Sequence, residues 1–379
     1  MARRGRRKVR HSNASRSREN DASESTPFLS RESSEAREPP ARSSGTKLAS
    51  VALLLFVGGA LAVLAWLVRW EALGSSDGAF DVNNRDQFDW SDLLDPKFPT
   101  LTFRATSARS WNRPSEMFTQ GFEFDDEDSE LVWHSTGLNG RSEIATHRLT
   151  EAGQVESERE LATLPQKYFG EGVTLLRDSD GRRFAYWLTW QSGDVFQYEV
   201  MSHKSEKTGQ VSHSLSLVKQ HKIPGQGWGI SQLSNDSSHV ILTDGSHLLF
   251  TYSLSPWELR KQQAVFEVNV EGKKRKISRL NEIESTHNSL LLSNVWFDTR
   301  IAVVHPATGK VIAWLECRDL FPSGISTRTH DKVLNGIAID TRGRILVTGK
   351  RWPVIHELQF GENDDFVRRL LRAPLPHEI

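Results

Sequence analysis

A residue followed by glycine, once by glutamate, and then by an apolar side chain occurs five times in this 379-residue chain: Gln120-Gly121-Phe122, Glu171-Gly172-Val173, Trp228-Gly229-Ile230, Asn281-Glu282-Ile283 and Asn335-Gly336-Ile337. The starts lie 51, 57, 53 and 54 residues apart. Some 12–18 residues after each start, a second apolar run ends near Gly137, Trp190, Ser246, Trp296 and Lys350. If the repeats gather these positions, they bring together an acid, a cation, several amides and several indoles, the composition of a small-ligand pocket. Glu171 is the one acid among the starts. Facing an indole-lined cavity it would lose hydration, its pKa would rise, and it would suit proton transfer near neutral pH. Lys350 inside the ring would be a charge partner or would stabilise developing negative charge. Each residue also has a plainer reading: an isolated Gly-Glu-Gly is a turn, a lysine at a strand end is solvated, and Trp190, Trp228 and Trp296 fill cores.

The elements that position these residues are strands. From about residue 100, short runs of Val, Ile, Leu, Thr, Tyr and Trp alternate with Gly/Asn/Asp/Ser clusters, and each second run is followed by a hairpin, most plainly in IAVVHPATGKVIAWL. Strand, turn, strand and hairpin at a period near 54 predicts an all-β, five-bladed β-propeller over residues 98–362, with a β-sandwich of coincidental spacing as the rival fold. The fifth blade runs out of chain near Phe360, so Leu101–Ala105 is expected to supply its outermost strand.

Upstream, the chain changes character. Residues 1–47 hold 12 of the 48 basic and 6 of the 48 acidic side chains, with too few large apolar residues to offset the entropy of ordering, and read as a disordered tail. Leu48–Val68 carries no charge over 21 residues, enough to cross the roughly 30 Å hydrocarbon core. Residues 48–69 therefore read as a single transmembrane signal-anchor helix and 70–97 as a stalk; residues 363–379 read as a C-terminal tail. Basic residues before the span place the N-terminus in the cytosol and residues 70–379 in the lumen or outside, the topology of a type II membrane protein, with the Asn235 sequon open to glycosylation. The net-acidic remainder argues against a nucleic-acid partner. A lone Cys317 excludes an intramolecular disulfide or a Cys-clustered metal site.

Other motifs carry less. Gly225–Gly229 lacks the strand-to-helix context of a nucleotide loop, Asp125–Glu130 (DDEDSE) reads as a solvated hairpin tip, and Lys273–Lys276 (KKRK) as a charged hairpin. No HExxH, serine nucleophile elbow or zinc-type cluster occurs.

Nine segments in order, FTQGFEF (118–124), FGEGVT (169–174), LTW (188–190), GWG (227–229), TDGS (243–246), LNEIE (280–284), NVW (294–296), LNGIA (334–338) and VTGKRWP (347–353), resemble the plant-type glutaminyl-peptide cyclotransferases. The resemblance implies a five-bladed propeller and formation of pyroglutamate from an N-terminal glutamine with release of ammonia. Carried over by motif, it implies Glu171, Lys350, Asn281 and Gln120 as catalytic residues, with Glu171 as general acid/base, and Phe118, Trp190, Trp228 and Trp296 as substrate-binding residues. It also implies a structural calcium in the central channel, with no ligands assigned, and no cofactor or zinc required for catalysis. The rivals are an inert lumenal propeller serving as a binding platform and a propeller lactonase, for which a sufficient acidic set is missing.

Overall fold

The computed structural model describes residues 90–325, 329 and 331–372. The expected tail, membrane span and most of the stalk lie outside these residues. Among the described residues no helix is long and apolar enough to cross a membrane.

Strands dominate. After β1 (Leu101–Arg104) and β2 (Thr106–Asn112), a first sheet runs β3 (Thr119–Phe124), β4 (Leu131–Thr136), β5 (Glu143–Leu149) and β6 (Val155–Thr163). A second runs β7 (Gly170–Arg177), β8 (Arg183–Thr189), β9 (Asp194–Lys204) and β10 (Val211–Lys222). A third runs β11 (Ile230–Ser231), β12 (His239–Leu242), β13 (Leu248–Leu254) and β14 (Trp257–Ala264). The hairpin β15 (Phe266–Val268) and β16 (Lys274–Lys276), which holds most of KKRK, joins a seven-stranded sheet with β17 (Leu280–Ser285), β18 (Leu291–Val295), β19 (Arg300–His305), β20 (Lys310–Glu316) and β1. The last sheet comprises β21 (Leu334–Ile339), β22 (Ile345–Gly349), β23 (Val354–Gln359) and β2.

The arrangement is propeller-like. First strands neighbour one another in the cycle β3, β7, β11, β17, β21 and back to β3. Second strands β4, β8, β18 and β22 are buried along their whole length, which is why they read as unbroken apolar or small-residue runs rather than as alternation. The outermost strands β2 and β14 are largely exposed.

Repeat glycines lie where first strands of adjacent sheets nearly touch. A Cβ on Gly121 would come within 2.5 Å of the Val173 nitrogen, one on Gly172 within 2.8 Å of the Trp228 carbonyl, and one on Gly336 within 2.9 Å of the Thr119 methyl. Four first strands also shift register at the repeat start, between Thr119 and Gly121, Gly170 and Val173, Leu280 and Ile283, and Leu334 and Ile337. Such bulges re-aim a side chain relative to its ladder.

Four expectations need correction. The outer strand of the last sheet is β2, antiparallel to β23 from Thr106–Gln359 to Asn112–Val354, whereas β1 pairs in parallel with β20. The outer strand of the last sheet faces solvent, which suits TSARSWN; β1 lies on the outer side of β20, with Leu101 and Phe103 buried in the cluster that holds Phe366 and Leu370. The DDEDSE segment is only in part a solvated tip: Asp126 and Glu127 are exposed, but Asp125 is buried and accepts from Trp133 Nε1 (2.7 Å) and Arg183 Nη2 (2.9 Å), with His213 Nε2 at 2.9 Å. Burial alone would raise its pKa, but these donors hold it well below the usual carboxylate range. Within the expected tail, α1 (Asp364–Leu370) buries Phe366, Val367 and Leu370 against the cluster holding Phe103 and Leu315. At the other end, fully buried Leu93 packs in the same cluster inside the segment read as a stalk.

Candidate active site

Loops that enter the first strands and loops that leave the second strands open on the same face, so the repeat starts and the second-strand ends converge there. Glu171 sits inside β7 rather than in a turn. Its glycine neighbours are close-approach residues: a Cβ on Gly170 would meet the Thr136 carbonyl and the Trp187 ring at 2.7 Å, and Gly172 donates its N–H to the Trp228 carbonyl at 2.8 Å. The Glu171 carbonyl accepts from Ser135 Oγ (2.7 Å) and Trp187 Nε1 (3.1 Å). The backbone carrying the carboxylate is therefore fixed from two sheets.

At the side chain, Gln120 Nε2 donates to Glu171 Oε1 at 3.1 Å, and Asn335 Nδ2 donates to the Thr119 carbonyl at 2.9 Å with Gln120 Oε1 at 3.4 Å. All three polar side chains are buried. Burial pushes Glu171 up to about 8, and the Lys350 charge pulls it back. Burial lowers the Lys350 ammonium, opposed by Glu171. Lys350 Nζ lies 5.1 Å from the centre of the Phe118 ring, so the cation is held over an aromatic face.

Two aromatic groups flank the cluster. Phe118 meets Phe169 edge-on at 6.0 Å, and Phe169 meets Trp190 at 5.5 Å. Trp228 and Trp296 form a T-shaped pair at 5.6 Å, with Phe297 tilted against Trp296 at 4.5 Å. Trp190 is 37% exposed, at the rim rather than the floor. Asn281 is buried beside the second group: its carbonyl accepts from Thr243 Oγ1 at 2.7 Å, and Thr243 Oγ1 accepts from Gly229 N at 2.8 Å. Three buried polar atoms here, Trp228 Nε1, Asn281 Oδ1 and Asn335 Oδ1, have no hydrogen-bond partner among the described residues. Unsatisfied buried polar atoms are rare and mark places where a ligand or water completes the bonding.

All eight predicted residues thus fall on this face, and the structure adds others. Phe169 links Phe118 to Trp190, and Asn335, the last of the repeat starts, extends the amide chain. Gly137 leaves room for Phe169 and Gln120, since a Cβ there would overlap the Phe169 ring and lie 3.0 Å from Gln120 Nε2. Beneath them Arg113, buried, donates through Nε to the Trp352 carbonyl (2.9 Å) and through Nη2 to Thr119 Oγ1 (2.8 Å) and the Gly349 carbonyl (2.7 Å). It thereby ties together the residues just before Gln120 and Lys350. Burial lowers the guanidinium to about 9. No sequence signal marks Arg113. Arg113→Lys, which cannot present the same fork, is expected to lower stability by about 1.5–3 kcal/mol, the worth of a charged hydrogen bond, as read by chemical denaturation.

No ligands are assigned to the calcium expected in the channel. No group of three or more His, Cys, Asp or Glu side chains among the described residues is arranged to hold a metal ion. Of the acids on the first strands, Glu123 is half-buried and Glu282 and Glu284 are buried; they accept main-chain N–H groups from Leu175, from Ile337 and Phe122, and from Ile339 and Ser285 respectively.

The family model for glutamine cyclotransferase matches residues 94–360. Among solved structures, the chain is similar to the crystal structure of Myxococcus xanthus glutaminyl cyclase, at 22% identity and a TM-score of 0.52, over 69% of this chain and 97% of that one. That likeness concerns the fold. No match is found among the curated proteins.

Proposed function

Because the chain belongs to the glutamine cyclotransferase family, we propose that it converts the N-terminal glutamine of peptides or proteins into pyroglutamate, with release of ammonia, at the cluster around Glu171. One observation carries the assignment: a buried carboxylate with its pKa raised to about 8, hydrogen-bonded to an amide and facing a lysine inside aromatic walls.

The reaction needs no enzyme nucleophile. The substrate's own α-amine attacks its side-chain carbonyl and closes a five-membered ring, so the protein must fold the side chain back and move protons. Ionised Glu171 takes a proton from the attacking amine and returns it to the departing amide nitrogen, which leaves as ammonia. Lys350, with Gln120 and Asn281, stabilises the oxygen that becomes negative in the tetrahedral intermediate. Asn281 Oδ1, Asn335 Oδ1 and Trp228 Nε1 supply unmatched acceptors and a donor for the substrate's amine, amide and carbonyl. Phe118, Trp190, Trp228 and Trp296 exclude water and favour the neutral amine.

In the same reading the five sheets are the blades of a five-bladed propeller, and the nine ordered motifs support a plant-type affiliation. The chain is placed as a type II membrane protein with its catalytic domain lumenal and Asn235, on an exposed loop of the third sheet, glycosylated. Protease protection in sealed microsomes tests this; digestion of the domain without detergent reverses the topology.

The deciding experiment incubates the purified protein with a Gln-initiated peptide and follows ammonia loss by mass spectrometry. Turnover is expected to persist with a strong zinc chelator, because every step is assigned to side chains. An inert binding platform would leave the peptide unchanged, and zinc-restorable inactivation would sink the assignment of steps.

A further inference from the structure

If the terminal glutamine is bound as read above, the rest of the peptide leaves across the mouth. There each sheet places a left-handed residue just after its second-strand end: Leu138 (φ 85°), Gln191 (55°), Gly245 (82°), Phe297 (69°) and Arg351 (54°). Four of the five are not glycine, and each then stores strain of about 1 kcal/mol or more, a cost that clusters at binding sites.

Arg279, also left-handed at φ 69°, stands outside that pattern. It enters β17 two residues before Asn281. Its N–H donates to the Gly245 carbonyl and its own carbonyl accepts the Trp296 N–H, both at 2.9 Å. Gly245 in turn lies against Trp228, since a Cβ there would be 2.6 Å from the indole. Arg279 is thus stapled by its backbone between the two tryptophans of the pocket wall. Its guanidinium lies 5.8 Å from the Phe297 ring centre and is exposed, and it forms no ion pair among the described residues.

Among the described residues no acid of this face forms an ion pair with it. Asp298 is engaged by Arg300 at 2.8 and 2.9 Å, and Asp331 faces Arg351 at 3.5 Å. Asp244 caps its own turn through the Ser246 N–H at 2.9 Å. Glu116 is exposed, as are Arg141 and Lys167. What is left beside the Trp228–Trp296 pair is a guanidinium on a pinned backbone, without an ion-pair partner among the described residues, at the lip of a pocket that receives a peptide N-terminus.

We propose that Arg279 is a specificity-determining residue that favours glutaminyl peptides with an acidic side chain immediately after the terminal glutamine. This deepens the cyclisation reading and rests on it. A carboxylate at that position would meet the guanidinium fork, while a lysine would be repelled.

The test compares kcat/KM for matched Gln-Glu-, Gln-Ala- and Gln-Lys- peptides with the full chain, at low and high salt. Gln-Glu- is expected to exceed Gln-Lys- by about 5- to 10-fold at low salt, with Gln-Ala- between, and the spread should shrink in high salt. Arg279→Gly, which suits the left-handed backbone, should collapse the ratio, and Arg279→Lys should keep part of it. Equal rates in the wild type, or an unchanged ratio in Arg279→Gly, would overturn the assignment while leaving cyclisation standing. Failure of all three peptides to react would overturn the cyclisation reading and this assignment together.

Discussion

Glu171→Gln is expected to lower turnover of a Gln-initiated peptide by about 10² to 10⁴, the range for removal of a general acid–base group, while substrate binding changes far less. The amide keeps the volume of the carboxyl group and an oxygen for the Gln120 donor at 3.1 Å, so the walls stay where they are. What disappears is the capacity to accept and return a proton. Stability supplies the control. Burial favours the neutral form of Glu171, with a pKa near 8, and a neutral glutamine mimics that form. The variant's thermal midpoint should therefore be no lower than that of the wild type at pH 7, and its advantage should build as pH climbs from about 4.5 to 8 and level off above that. Lys350→Met provides the matching arm: because the Lys350 charge pulls the Glu171 pKa down, its loss should slow turnover and move the Glu171 limb of the pH–rate profile to higher pH. A Glu171→Gln variant that is folded and within twofold of wild-type turnover removes the carboxyl group from the mechanism.

The parts of this molecule that were legible in the sequence are those the repeat itself dictates. Close approach of neighbouring first strands demands glycine at Gly121, Gly172, Gly229 and Gly336, so the period is written in the one residue type that fits. Gln120, Glu171, Trp228, Asn281 and Asn335 share one offset within that period, and a common offset means a common place. Interactions that cross the repeat left no such trace. Asp125 is 58 residues from Arg183 and farther from His213, and an acidic run reads as solvated when its partners are out of view. Arg113 reaches Gly349 across 236 residues. Ring closure was misplaced because apolar content drew attention to Leu101–Ala105, whereas the exposed outer position of the last sheet required the polar strand beside it.

Glu123, Glu282 and Glu284 belong to that second class, and they predict a stability that falls through neutral pH. Burial, followed by repulsion from Asp126, raises Glu123 to about 8, and burial, followed by repulsion from Glu123 and, for Glu284, from Glu282, raises the other two well above their ordinary values. An acid whose pKa is higher in the folded chain stabilises it fully below the unfolded pKa, near 4.5, and that contribution is lost as pH climbs through the folded value. Other groups act elsewhere. Buried His134, His147 and His221 have lowered pKa values and affect stability below about pH 6.5, in the opposite sense; Lys310, lowered to about 8, acts above that pH. Between pH 6.5 and 8.0 the acids therefore prevail. Each extra proton held by the folded chain costs about 1.4 kcal/mol per pH unit as pH rises, so one such proton amounts to about 2 kcal/mol across the window. At about 2–4 °C per kcal/mol for a domain of this size, the thermal midpoint should drop by about 4–8 °C. Glu282→Gln keeps an acceptor for the main-chain N–H groups of Ile337 and Phe122 yet cannot ionise, so its midpoint should fall less steeply and overtake the wild type toward pH 8. A wild-type midpoint that is flat or rising from pH 6.5 to 8.0 would show that these carboxylates are already ionised in the folded protein and that the ring of first strands tolerates their charge.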